Sequence, residues 1–203
     1  MKPARIILID NIDSFSYNLV DELRQLGYPL VVYRNTVSLA TLQRTLDDYQ
    51  GPQLICLSPG PGHPQQAGQL MPIIAHAKGR YPMLGICLGF QALLEAAGAT
   101  VRRCSETIHG KSSIIECNAH PIFVKLPSAL PVARYHSLAG YQLPTGIELL
   151  ASYQSVKESI PMAAYFSDFQ AIGFQFHPES ILTGRGSQLL AQTIEFLFST
   201  EQP

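Results

Sequence analysis

Residues 83–91 read Met-Leu-Gly-Ile-Cys87-Leu-Gly-Phe-Gln, a cysteine between two glycines where an apolar run gives way to a helical pattern. Gly85 and Gly89 permit a tight turn and close backbone approach. The preceding run supplies a strand, and the spacing predicts a helix over 90–97. A thiol at such a junction meets unpaired helix amides and the positive end of the helix dipole, which favour thiolate. This is the sulfur counterpart of the serine elbow Gly-x-Ser-x-Gly. A buried structural cysteine is the competing reading of the same stretch.

A cysteine nucleophile needs a base, and the base needs an orienting group. Both types occur in Gly173-Phe-Gln-Phe-His177-Pro-Glu179-Ser180. His177 follows an apolar strand, and Glu179 is near enough in sequence to hold the second imidazole nitrogen. Either residue alone would ordinarily be a solvated loop residue, and sequence spacing cannot establish contact with Cys87. Ser58-Pro59-Gly60-Pro61-Gly62 also follows a predicted strand. Alternating proline and glycine makes a stiff loop poor in side chains. Its amides, and the amide of Leu88, can face a developing oxyanion; a plain tight turn is the alternative. Gln91 lies one helical turn beyond Cys87, where its amide can meet a polar substrate or simply solvent. Ser137, after His136, can face the same cleft. His109-Gly110-Lys111 reads as a turn, and His63, His76 and His120 carry no pattern. Asp10, Asp13 and Ser14 follow the first strand, with Ser14 expected to cap the first helix.

The elements needed to position these groups are predicted as strands at 6–9, 30–33, 54–57, 83–86 and 171–176, alternating with helices at 15–26, 39–46, 73–77, 90–97 and 188–197. That alternation argues an α/β fold: an open, mostly parallel sheet with helices on both faces, whose ligands bind outside the carboxyl ends of the strands. From 100 to 166 the pattern changes to short strands at 114–116, 122–125, 132–135, 149–152 and 162–165, read as a small antiparallel extension. One domain spanning 1–203 is expected from the length.

Of the 203 residues 46% are apolar and 14% charged, with a net charge of -1. The shortage of charge suggests a surface covered by a partner, and the balance gives no reason to expect nucleic acid or an anionic membrane. The four cysteines (56, 87, 104, 117) lack zinc or disulfide-framework spacing and fit reduced thiols in a cytoplasmic protein. No signal segment or membrane span is indicated. No metal ligand set and no Gly-x-Gly-x-x-Gly stands out, so no cofactor is expected.

Taken together, Asp10-Asn-Ile-Asp-Ser-Phe15, residues 58–64, Gly85-Ile-Cys-Leu-Gly89 with Gln91, His109-Gly-Lys111, Arg134-Tyr-His-Ser-Leu138 and residues 173–180 resemble the class I, triad-type glutamine amidotransferases over nearly the whole chain. The first and fifth of these segments resemble the small subunits that serve chorismate-using enzymes. The anthranilate synthase branch is the nearer and the aminodeoxychorismate synthase branch the next. The resemblance implies a flavodoxin-like fold and Cys87 as nucleophile, with His177 and Glu179 completing a triad. It also implies glutamine binding by Gly60, Pro61, Gly62, Leu88, Gln91, Ser137 and Leu138. The implied partners are L-glutamine and a large chorismate-binding synthase subunit. Other readings are a different cysteine hydrolase, such as a small protease, or a catalytically silent subunit. Three places depart from the family pattern. Phe90 stands where histidine is frequent, Tyr165-Phe166 replace a common Arg-His pair, and residues 117–125 lack the usual glycine-containing turn.

Overall fold

The structure, a computed structural model, describes residues 2–105 and 110–200. The chain runs β1 (Arg5–Asp10), α1 (Ser16–Gln25), β2 (Leu30–Arg34), α2 (Leu39–Asp47), β3 (Gln53–Leu57), α3 (Leu70–Ala77), β4 (Met83–Ile86) and α4 (Leu88–Ala96). It continues with β5 (Thr100–Arg103), β6 (Lys111–Cys117), β7 (Ala129–Arg134), β8 (Leu138–Tyr141), β9 (Ile147–Gln154), β10 (Ser159–Phe166), β11 (Ala171–Phe174) and α5 (Gly186–Ser199).

Nine strands form one sheet in the order β2-β1-β3-β4-β11-β10-β9-β6-β7. The first five are parallel and the rest antiparallel. In β1 the side chains alternate between two cores: Ile6 and Leu8 pack with Leu19 and Leu23 of α1 and Leu189 and Ile194 of α5. Ile7 and Ile9 pack with Leu42 of α2, Ile73 of α3 and Leu93 of α4. Period-two alternation thus feeds both faces, and the unbroken apolar run is what a doubly covered strand requires. Each fully buried Leu or Ile contributes roughly 1.5–3 kcal/mol.

The antiparallel extension is present: its strands continue the main sheet through β10–β11 pairing, and β5 and β8 form a separate small antiparallel sheet. Two local expectations need correction. Residues 122–125 are not a strand. Pro121 starts a 3-10 turn, Pro121–Phe123, in which the His120 ring accepts from the Ile122 amide, and Lys125 turns the chain at φ 63°. The apolar pattern there reflects Ile122 and Phe123 closing over the core. Ser14 is likewise not the cap of α1. The cap position is Phe15 and carries no side-chain bond; Asp13 instead accepts from the Phe15 amide at 2.8 Å and Asp10 from the Ile12 amide at 2.9 Å.

Candidate active site

The parallel strands end at one sheet edge, and the chemistry-bearing residues follow them. Asp10 ends β1, Ser58 follows β3, Cys87 follows β4 and His177 lies just beyond β11. Cys87 is the last residue before α4, at φ 51° and ψ −99°, backbone that a non-glycine residue rarely adopts. Two glycines make the elbow sterically feasible. A methyl group on Gly89 would stand 2.3 Å from the Leu57 carbonyl oxygen, and one on Gly85 would stand 2.7 Å from the Gly89 carbonyl carbon. The Cys87 amide donates to the Phe174 carbonyl at 2.7 Å, tying the elbow to β11.

That tie brings the distant histidine alongside. His177 is 2% exposed, and its Nδ1 is 2.7 Å from Glu179 Oε1, with Glu179 also buried. The backbone of His177 is clamped on both sides: its amide donates to Ala133 O at 3.1 Å, and Thr183 Oγ1 donates to its carbonyl at 2.8 Å. With Nδ1 committed to Glu179, the buried Nε2 makes no hydrogen bond among the described residues, and Cys87 is near enough to act on the ring. Burial alone would lower the imidazole pKa. Cys87 and then Glu179 outweigh it and hold the ring up at about 10. Phe15 and Tyr135 cover the ring, with centroids 4.8 and 5.2 Å away.

A cavity of about 130 Å³ lies over the thiol. It is lined by the Gly60–Gly62 loop, by Cys87 and Gln91 of the elbow and α4, and by Tyr135, His136, Ser137 and Leu138 after β7. A methyl group on Gly60 would stand 2.5 Å from Leu88 Cδ2, so the loop and the first residue of α4 are in close contact. Leu88 lies in the turn whose amides lack intrahelical acceptors. Gln91 is 3% exposed, and its Nε2 donates to Leu138 O at 2.9 Å and Gln175 Oε1 at 3.2 Å. Only its side-chain oxygen is therefore free to accept from a ligand.

Three contributors to this site had no role in the sequence reading. Gln175 is fully buried and donates to Cys87 Sγ at 3.7 Å. It lies two residues before His177 in an extended segment, and that period-two placement was a usable signal. Phe15 and Tyr135 gave no such signal, because their ring contacts are made only by folding. His109, expected in a turn, lies outside the described residues. His63 and His120 each accept a nearby backbone amide, and His76 pairs with Gln43 at 3.1 Å, away from the cavity.

His136 is 3% exposed, takes a hydrogen bond from Arg134 Nε on its Nε2 at 3.1 Å, and lies 3.0 Å from Leu138 O through Nδ1. These partners require the neutral ring with its proton on Nδ1. Burial and the neighbouring guanidinium push its pKa down to about 3. The unfolded ring, at about 6.5, binds a proton before the folded one does. This stability is complete above about pH 6.5 and is lost as pH falls toward 3, by at most ~1.4 kcal/mol per pH unit. Urea unfolding at several pH values between about 4 and 7 is expected to show a shallower acid slope for His136→Asn than for wild type. An unchanged slope would exclude His136 as its source.

The family departures form a contact of their own. Phe90 is fully buried with its ring 6.2 Å from that of Phe166, edge to face, and it fills the space over Gly173. Two positions that lose a polar ring relative to the family pattern thus pack on each other. Tyr165 lies against Phe196 and His120, on the far side of the sheet from Phe90. Neither pair reaches the thiol cavity.

The strand order and the thiol elbow define an open α/β fold with a cysteine at the carboxyl edge of its parallel strands, and residues 7–196 match the model of the family "Glutamine amidotransferase class-I". The chain belongs to that family. It is 44% identical to "Anthranilate synthase component 2" of Vibrio parahaemolyticus over 95% of this chain and 96% of that one. It is 45% identical to the protein of the same name from Haemophilus influenzae over 97% of this chain and 99% of that one. Among solved structures, a glutamine amidotransferase from Thermotoga maritima shares the fold at a TM-score of 0.75 and 18% identity, covering 98% of this chain and 99% of that one. A Thermoplasma acidophilum protein superposes at a TM-score of 0.83 with 24% identity, covering 98% and 96%. Among the described residues no helix is long and apolar enough to cross a membrane.

Proposed function

We propose that this chain is the glutamine-hydrolysing subunit of an anthranilate synthase and that it works in the cytoplasm as a single amidotransferase domain. In this role it passes ammonia to a large chorismate-binding subunit in tryptophan biosynthesis. The observation that carries the chemistry is a cysteine in left-handed backbone at a helix entrance, beside a buried histidine held by a buried glutamate. The pathway rests on the relatives' shared name.

Cys87 thiolate attacks the side-chain amide carbon of L-glutamine. The tetrahedral oxyanion is held by amides of the Gly60 loop and of Leu88. Such donors are typically worth about 3 kcal/mol each. His177, whose pKa is held up by Cys87 and Glu179 in the free site, gives its proton to the departing ammonia. It then takes a proton from water as the water attacks the γ-glutamyl thioester, and collapse of the adduct releases glutamate and returns the Cys87 thiolate with His177 protonated again. Glu179 fixes the tautomer and balances the charge. Gln91, Ser137 and Leu138 orient the amino-acid end of the substrate. A cavity of about 130 Å³ is smaller than the roughly 300–1,000 Å³ of ordinary ligand pockets. It suits a free amino acid better than a peptide, which disfavours the protease reading.

The test is alkylation by a thiol-reactive glutamine analogue, followed by peptide mapping. Label on Cys87 that glutamine blocks is expected. Label elsewhere, or label indifferent to glutamine, sinks the assignment. The free subunit is also expected to hydrolyse glutamine slowly and to speed up with its partner and chorismate, because misplacement of about 1 Å costs roughly a hundredfold. Mass spectrometry of the co-purified large subunit identifies the pathway. An aminodeoxychorismate synthase alone would move the chain to 4-aminobenzoate synthesis.

A further inference from the structure

The turn between β1 and α1, residues 11–15, touches both halves of the catalytic apparatus although it contributes nothing to the thiol cavity's lining. At one end Asn11 is 3% exposed. Its backbone amide donates to Ser58 Oγ and its Nδ2 to Ser58 O, each at 2.8 Å, and Ser58 Oγ donates on to Pro59 O at 2.7 Å. A methyl group on Gly60 would stand 2.6 Å from Asn11 Cβ, so the turn also packs directly on the loop that walls the cavity. Asn11 Oδ1 is buried and has no hydrogen-bond partner among the described residues. At the other end Phe15 lies on His177 and 4.7 Å from Tyr135, centroid to centroid.

Between these ends the turn faces outward. Ile12 is 57% exposed and stands at φ 63°, a conformation that is a genuine outlier for a β-branched residue. Strain of this kind persists where surrounding structure over-determines it, and it clusters in switch regions. Asp10 and Asp13 brace the turn internally, accepting from the Ile12 and Phe15 amides. Ile181, 95% exposed, lines a cavity of about 670 Å³ to which Phe15 and Tyr135 also contribute, and Tyr135 lines the thiol cavity as well.

We propose that residues 11–15 are a positioning element. Asn11 sets the oxyanion loop, Phe15 sets the His177 ring, and the chorismate-using subunit regulates glutamine hydrolysis by docking on Ile12. This rests on the amidotransferase reading above and adds the route by which the partner reaches the site. Asn11 and Phe15 touch no reacting atom; they act through Ser58–Gly60 and through His177.

The experiment uses the assembled two-subunit complex with Asn11→Ala, Phe15→Leu, Phe15→Tyr and Ile12→Gly. For Asn11→Ala and Phe15→Leu, kcat for glutamine hydrolysis is expected to fall about ten- to a hundredfold with KM within about threefold. Ammonium-dependent product formation should be unchanged. Phe15→Leu should also shift the pH profile of Cys87 alkylation by the glutamine analogue, and Phe15→Tyr, which keeps the ring, should restore it. Ile12→Gly is expected to lower the ratio of glutaminase rates with and without the partner by about tenfold while the complex still elutes intact. Wild-type rates, profile and ratio in these variants would overturn the proposal. Loss of the complex in both Asn11→Ala and Phe15→Leu, with ammonium-dependent activity lost too, would also overturn it by making the turn merely structural. A wild-type complex that fails to hydrolyse glutamine sinks the functional assignment instead, so the two failures are separable.

Discussion

Cys87→Ser in the assembled complex is expected to abolish glutamine-dependent anthranilate formation and to leave ammonium-dependent formation intact. The thiol is 8% exposed and held in its elbow by the backbone bond to Phe174, so a nearly isosteric hydroxyl should keep the fold and the docking surface. The chemistry does not survive, because an alcohol at neutral pH is a far weaker nucleophile than a thiolate beside an imidazolium. Loss of about a thousandfold or more is the range seen when a nucleophile is removed from a unit that acts together. Anthranilate fluorescence with glutamine, and with ammonium salt at alkaline pH, separates the two activities. Retention of the glutamine-dependent rate would remove Cys87 from the mechanism. Loss of both rates in an intact complex would give it a role beyond releasing ammonia.

Gly89→Ala is expected to be among the most damaging single-methyl changes in the chain. The new methyl would meet the Leu57 carbonyl oxygen at 2.3 Å and Leu57 Cβ at 2.7 Å. Leu57 is fully buried in β3, and its register with β1 and β4 leaves the backbone no room to yield. Overpacking typically costs 1–3 kcal/mol, and a clash with backbone should reach or exceed about 3 kcal/mol. Urea unfolding measures the loss. The elbow should suffer before the fold does, so Cys87 alkylation by the glutamine analogue should slow even where the variant remains folded. A variant with wild-type stability and wild-type alkylation would show that α4 can shift away from β3 without cost.

Much of the site was legible because its parts are local. Two glycines around Cys87 announce a turn that only small residues permit, and the turn is there with Cys87 at φ 51°. His177 and Glu179 are two residues apart, close enough for the pairing read from spacing, and they pair at 2.7 Å. Gly60 was identified from loop chemistry, and it lies against the Leu88 side chain at the start of α4. Residues 122–125 misled because a buried 3-10 turn and a strand present the same apolar run, and only Pro121 and the His120 cap distinguish them. Gln91 looked like a ligand-binding amide, yet its nitrogen is spent on Leu138 and Gln175, contacts between elements far apart in the chain.

By itself the sequence determined the parallel α/β core, the thiol elbow and the histidine–glutamate pair, since each follows from short-range periodicity or turn sterics. Tertiary structure alone decided that these parts meet. The pairing of β11 with β4 in the register Ile86 opposite Phe174 sets Cys87 beside the segment that carries Gln175 and His177. No local propensity encodes that register, because it is the joint outcome of two cores packing on opposite faces of the sheet. The cover over His177 is of the same kind: Phe15 and Tyr135 come from turns after β1 and β7, and only the assembled sheet brings their rings to one imidazole.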